Sequence, residues 1–245
     1  MQVIDVQAMQ GGLWIRQAWG YFKAAPLGWM SLVGGWIMVT FGMMFIPLFG
    51  PIASNILQPV FFAGLMLACR KQDSGKMPAI PDLFAAFRGN LRALVIVGSV
   101  LLGLELLIFV LIETLGFPVL ALSEDGNSIN FATFQTSLEN NLGPLFLGLA
   151  LLALLKGALW FAPPLLAFHN MSAAHAMRWS LFAFLSNFSA VFVYSVLIVA
   201  MYMLALLPWG AGLFIAMPLM VISNYTGYQA MFREEEPVAP VPPII

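Results

Sequence analysis

The amino-acid sequence predicts an all-α polytopic integral membrane protein with six transmembrane helices in three hairpins, each hairpin preceded by an interfacial amphipathic helix. Three observations predict this. Of 245 residues, 61% are hydrophobic and only 9% charged, far outside the composition of soluble domains. Apolar runs long enough to span a hydrocarbon layer about 30 Å thick recur between proline- and glycine-marked reversals. The charges are also sorted by side. Under a six-span assignment Arg16, Lys23, Arg70, Lys71, Lys76, Arg88, Arg92, Arg178 and Arg233 share one side, whereas Glu124, Asp125 and Glu139 are the charged loop residues of the other. By the positive-inside rule both termini are then cytoplasmic, since a missed or added span would scatter the basic residues across both sides.

In chain order, the start MQVIDVQAMQGG carries Asp5 and no apolar core, so no removable signal peptide is expected and the first span directs insertion itself. Within Leu13 to Ala25 the residues Trp14, Ala18, Tyr21 and Ala25 fall on one helical face and Arg16, Gly20 and Lys23 on another, the pattern of a helix lying at a membrane surface. Pro26 suits the first turn of the next helix. Span one runs from about Leu27 to Phe45, and Pro47, Gly50 and Pro51 reverse the chain. Span two runs from about Ile52 to Cys69 and ends at Arg70 and Lys71. A short amphipathic piece from Asp82 to Asn90, with Asp82 as its N-cap, leads into span three, Leu91 to Leu115. After a long outer loop with helical spacing at Phe131, Phe134, Leu138 and Leu142, span four covers Gly143 to Phe168 and holds the pair Pro163-Pro164. A third interfacial helix, about Ser172 to Phe188, precedes span five to Leu207. Pro208-Trp209-Gly210 then turns the chain into span six, about Gly212 to Tyr228. Residues 1–233 are read as one transmembrane domain, and 234–245 as a disordered, proline-rich cytoplasmic tail.

The three short helices align without gaps as AWGYFKAAPLGW, LFAAFRGNLRAL and SLFAFLSNFSAV, with Phe22, Phe87 and Phe184 in register. Pro47 and Pro208 follow at nearly equal distances, and prolines recur within the following spans at Pro59 and Pro218. The chain therefore reads as three copies of one unit, 11–71, 81–169 and 172–233, with Trp14, Trp19, Phe22, Phe87 and Phe184 as interfacial anchors.

Two charges lie near the middle of adjacent spans. Glu105 in span three and Lys156 in span four each sit about 20 Å from their own end, close to the bilayer midplane. A lone charge there costs on the order of 2.5 to 3.5 kcal/mol, so two at matching depth point to an intramembrane ion pair, structural or engaged in transport. Asn55, Gln58, Ser223, Asn224 and Thr226, beside prolines that free backbone carbonyls, are candidates for a polar path, although interhelical hydrogen bonding explains them equally well. Small residues four apart at Ser31/Gly35, Ser99/Gly103, Ala153/Gly157 and Gly212/Ala216 suit close helix packing. His169 and His175 lack further ligands of metal spacing, the single cysteine Cys69 forms no internal disulfide, and no phosphate loop, nucleophile elbow or dinucleotide fingerprint occurs, so no catalytic residue, metal or cofactor is expected. The ten basic residues form no concentrated patch, which argues against a nucleic-acid partner. The expected partners are membrane lipid and a membrane protein, or a second copy.

The run Trp14-Ile15-Arg16-Gln17-Ala18-Trp19-Gly20-Tyr21-Phe22-Lys23-Ala24-Ala25-Pro26 resembles the entry helix of a group of uncharacterised bacterial inner-membrane proteins. These are similar to the membrane domain that precedes the catalytic domain of some bacterial glycerophosphodiester phosphodiesterases. The resemblance implies a bacterial inner membrane and a standalone helical module. With no catalytic domain expected after span six, hydrolysis is not expected to carry over. The expectation is a non-enzymatic accessory, scaffold or assembly protein; the alternative is a small transporter or channel with a midplane polar site at Glu105 and Lys156.

Overall fold

The computed structural model describes residues 2–118 and 131–233, with backbone alone at 131–134, 140 and 233. The predicted acidic loop residues Glu124 and Asp125, and the tail 234–245, lie outside the described residues. Ten α-helices follow in order: α1 (Gln10–Ala24), α2 (Pro26–Met44), α3 (Phe49–Asp73), α4 (Leu91–Thr114), α5 (Phe131–Asn140), α6 (Leu142–Trp160), α7 (Ala162–Phe168), α8 (Ala173–Ser186), α9 (Phe188–Leu206) and α10 (Leu213–Met231). A 3-10 helix, Ile80–Arg88, lies between α3 and α4. Two short strands, β1 (Gln2–Val3) and β2 (Phe232–Arg233), pair antiparallel.

Among the described residues five helical segments are long and apolar enough to cross a membrane: Pro26–Met44, Phe49–Asp73, Leu91–Thr114, Leu142–Phe168 and Phe188–Leu206. The residues predicted as a sixth span form α10, a helix of 19 residues that is not among those five. It falls short of the other five in apolarity because its second half carries Ser223, Asn224, Thr226 and Gln229.

The chain packs as two compact units, one within Met1–Met30 and Phe182–Ile245, the other within Ser31–Leu181. In the second unit α3 is the core helix: half of its apolar window is buried, against 28% for α4 and 17% for α2. It packs on α4, on the 3-10 helix and on α7, while α6 packs on α4. The 3-10 helix reaches α3 closely because Gly64 has no side chain; a Cβ there would lie 2.4 Å from the Leu83 carbonyl oxygen. Asp82 is not the N-cap. The helix starts two residues earlier, and the Asp82 carboxylate reaches back to accept from the Ala79 N–H (2.8 Å) while both its oxygens accept from Lys71 Nζ (2.9 and 2.8 Å). Arg70 lies 5.1 Å over the Phe168 ring, and Asn90 Nδ2 donates to the Met171 carbonyl. The basic end of α3 thus meets the end of α7 and the 3-10 helix. At the opposite end Asn141 Nδ2 donates to the carbonyls of Leu115 and Gly116, joining the exit of α4 to the entry of α6.

The span predicted over 143–168 is broken at Phe161, where Pro163 and Pro164 deprive the backbone of two donors. Ser180 of α8 mends the break: its Oγ accepts from the Phe161 N–H (2.8 Å) and donates to the Gly157 carbonyl (2.9 Å), all buried. A broken helix survives in a membrane only where protein supplies such partners.

In the first unit α10 is the core helix, with every residue from Val221 to Tyr228 buried. It packs on α1 and α9. Both ends of the described chain lie beside it: β1 pairs with β2, the Ile4 N–H donates to the Met231 carbonyl, and Asn187 clips the segment down by accepting from the Val6 N–H and donating to the Ile4 carbonyl.

The three short helices share one packing habit. The 3-10 helix docks on α3, α8 docks on the α6–α7 break and α1 docks on α10. In terms of the three sequence copies, each short helix rests on the second span of the copy before it, and the first rests on that of the third.

Candidate functional site

Two places concentrate polar side chains in otherwise apolar helices. The first is in the Ser31–Leu181 unit, where Lys156 Nζ of α6 donates to Glu105 Oε1 of α4. Antiparallel packing of α4 and α6 brings these mid-helix residues level. The pair is not enclosed: the Lys156 side chain is 52% exposed and that of Glu105 25%. On α6 it shares its outward face with Leu149 and Ala153, both exposed. Chemically the pair cancels its own charge and fixes the register of two helices. Cutting one partner leaves a bare charge in oil, so Glu105→Ala alone is expected to destabilise the protein more than Glu105→Ala combined with Lys156→Ala, with a coupling of about 1 kcal/mol. Denaturant titration of the four-member cycle in detergent measures it; additive single effects would refute the interaction.

The second place is the Met1–Met30 and Phe182–Ile245 unit. Tyr194 of α9 and Ser223 of α10 share a buried hydrogen bond of 2.8 Å, and Ser223 Oγ also lies 3.0 Å from the Met220 carbonyl. Thr226 Oγ1 donates to the Trp14 carbonyl of α1 (3.0 Å). The Trp14 ring packs 5.5 Å from that of Tyr194, and Tyr21 meets Tyr225 edge-on at 6.3 Å. Gln229 Nε2 donates to the Tyr225 hydroxyl (3.0 Å). The polar run of α10 is therefore spent largely on holding three helices together. Trp14 Nε1 and Asn224 Oδ1 are the buried side-chain atoms left without a partner among the described residues. Sequence reasoning singled out Ser223, Asn224 and Thr226, with interhelical hydrogen bonding as one reading, but not their partners in this network, Trp14 and Tyr194. Its trace was the run Ser223 to Gln229, too polar for lipid and too aromatic for a loop.

The other residues proposed for a polar path are distributed otherwise. Asn55 donates to the Pro51 carbonyl of its own helix (2.9 Å) and Gln58 is exposed, both on α3; Asn224 is buried in α10, in the other unit. Of the proposed anchors, Trp14, Phe22 and Phe184 are buried in protein, Phe87 is half-buried and Trp19 is exposed. The aromatic face of α1 that carries Trp14 and Phe22 turns onto α9 and α10, where van der Waals contact and hydrogen bonds replace lipid contact. Among the described residues no three His, Cys, Asp or Glu side chains gather to hold a metal ion.

Long apolar helices, helix-to-helix polar contacts and a charge pair level with mid-helix together define a helical membrane protein. The chain is 30% identical over 268 residues to a probable inner membrane protein of Burkholderia thailandensis, with 98% of this chain and 97% of that protein covered. It belongs to the family of that bacterial inner-membrane protein. No protein-family model and no solved structure matches it.

Proposed function

We propose that the chain is a non-enzymatic accessory or assembly module of the inner membrane, crossing six times with both termini cytoplasmic, and that it works by docking on another membrane protein or on a second copy. The observation that carries this reading is the half-exposed Glu105–Lys156 pair. A polar surface at midplane depth is costly against lipid tails, and polar contacts join membrane helices, so this face of α4 and α6 suits burial against protein. The six-crossing count is supported by the pairing of β1 with β2. Hydrogen-bonded strands at the two ends of the described chain fit a single side of the membrane, and so fit an even number of crossings with α10 as the sixth. The packing habit of the short helices supports the three repeats.

The test is a photo-crosslinking residue in place of Leu149, beside Lys156, in cells making the full chain. The expected product is one discrete protein adduct, either a dimer or a single partner. Crosslinks to lipid alone would contradict the reading, and flux in proteoliposomes that Glu105→Gln abolishes while the fold is kept would favour a transporter.

A further inference from the structure

The Glu105–Lys156 pair of the Ser31–Leu181 unit is incompletely bonded. An ammonium group carries three N–H donors and a carboxylate two acceptor oxygens. Lys156 Nζ donates to Glu105 Oε1, so the other donors of Lys156 and the whole of Glu105 Oε2 make no hydrogen bond among the described residues. Both side chains keep an exposed part, Lys156 more than Glu105. Each chain therefore offers, near mid-helix, a cation with spare donors and a carboxylate oxygen with spare lone pairs.

On α6 the same surface continues as a row. Leu142, Phe146, Leu149, Ala153 and Lys156 follow one another at intervals of four and three residues, so they lie along one side of the helix, and all five are exposed. Lipid tails can cover the first four, but they cannot satisfy the charges. Ala153, one turn before Lys156, keeps the surface low and lets another backbone approach closely.

Symmetry restricts what can cover this face. Copies of one chain insert in the same orientation, and a pair of them in one membrane is related by a twofold axis along the membrane normal. Rotation about that axis leaves every residue at its own depth. A lysine alone at mid-helix would then meet only a lysine, and the contact would be repulsive. Because an acid and a base stand level here, each cation can face the carboxylate of the other copy. The face is complementary to itself, whereas a different protein would have to bring its own acid and base at the same depth.

We propose that the occupant of this face is a second copy of the chain, with Lys156 of each copy donating to Glu105 Oε2 of the other. The four side chains then close a ring of alternating charge. This inference rests on the docking reading above and names its partner.

The experiment uses the full-length protein in proteoliposomes, with Cys69, the native cysteine, replaced by alanine. A single cysteine replaces Leu149 or Ala153, or, as a control, Leu107, which is exposed on the side of α4 turned away from Glu105. A short bismaleimide is then added at increasing lipid dilution. Positions 149 and 153 are expected to give a covalent dimer, and position 107 little. Glu105→Leu together with Lys156→Leu removes both charges at once and keeps the fold, as its melting temperature checks. In that background the dimer yield at high dilution is expected to fall roughly tenfold. Dimers from all three positions alike, or a yield that the double variant leaves unchanged, would overturn the proposal. No dimer from 149 or 153 would overturn it too. If the photo-crosslinking residue at 149 then captures a different protein in cells, the docking reading stands without this partner; if it captures lipid alone, both fall.

Discussion

Deleting residues 1–24, which removes α1, is expected to move the C-terminus to the opposite side of the membrane. The helix α10 falls below the apolarity of the other five candidate spans, and its polar residues are met by neighbours rather than by lipid. Thr226 bonds to the Trp14 carbonyl, Tyr21 packs on Tyr225, and the face Gly11, Trp14, Ala18 and Phe22 of α1 is buried. Without α1 those groups of α10 face hydrocarbon, where each unmet polar group costs several kcal/mol by transfer scales and about 0.6 kcal/mol on average by measurement in membrane proteins. Even the smaller figure, taken over two contacts, shifts the crossing equilibrium roughly eightfold. A phosphatase fused after Arg233, active only outside the cytoplasm, is expected to be silent in the full chain and active in the deletion. Silence in both would show that α10 crosses unaided.

The second large effect belongs to the other unit. A Cβ at Gly98 of α4 would lie 2.0 Å from the Ile56 carbonyl oxygen of α3, a backbone atom that cannot step aside. The crossing of these two helices depends on that contact, since neither has a hydrophobic reason to prefer the other over lipid. Gly98→Leu is expected to destabilise the protein by about 3 kcal/mol, at the upper end for overpacking, and to lower the denaturant midpoint in detergent accordingly. The contrasting control is Gly103→Leu on the same helix, where nothing lies within 4 Å and little change is expected. Equal effects at both positions would mean that α3 and α4 do not cross as described.

Much of this was legible in the sequence because membrane helices announce themselves twice, by apolar length and by the prolines that end them. The bounds of α2, α4, α9 and α10 lie within a few residues of the apolar runs, and Glu105 and Lys156 could be matched by depth alone. Other features depend on contacts distant in the chain, which no local pattern encodes. Pro163-Pro164 signals a freed backbone, but nothing local says that Ser180 will satisfy it. Aromatic residues on α1 read as lipid anchors because an amphipathic helix looks the same whether its apolar face meets lipid or protein. Strands of two residues, Gln2–Val3 and Phe232–Arg233, are too short to show periodicity, yet their pairing bears most directly on the number of crossings. The small-residue motifs divide in the same way: Gly157 is buried beneath Ser180, whereas Ser99 is exposed and Gly103 is open.

The sixth crossing is tested most directly by two single cysteines introduced after Cys69, the native one, is replaced by alanine. One replaces Trp209, fully exposed in the reversal between α9 and α10, and the other replaces Arg233 at the end of the described chain. An impermeant maleimide applied to cells with an opened outer membrane is expected to label position 209 and to leave position 233 unlabelled until the inner membrane is breached. Labelling of both positions from outside would place α10 along the surface instead of through the bilayer and would contradict the account.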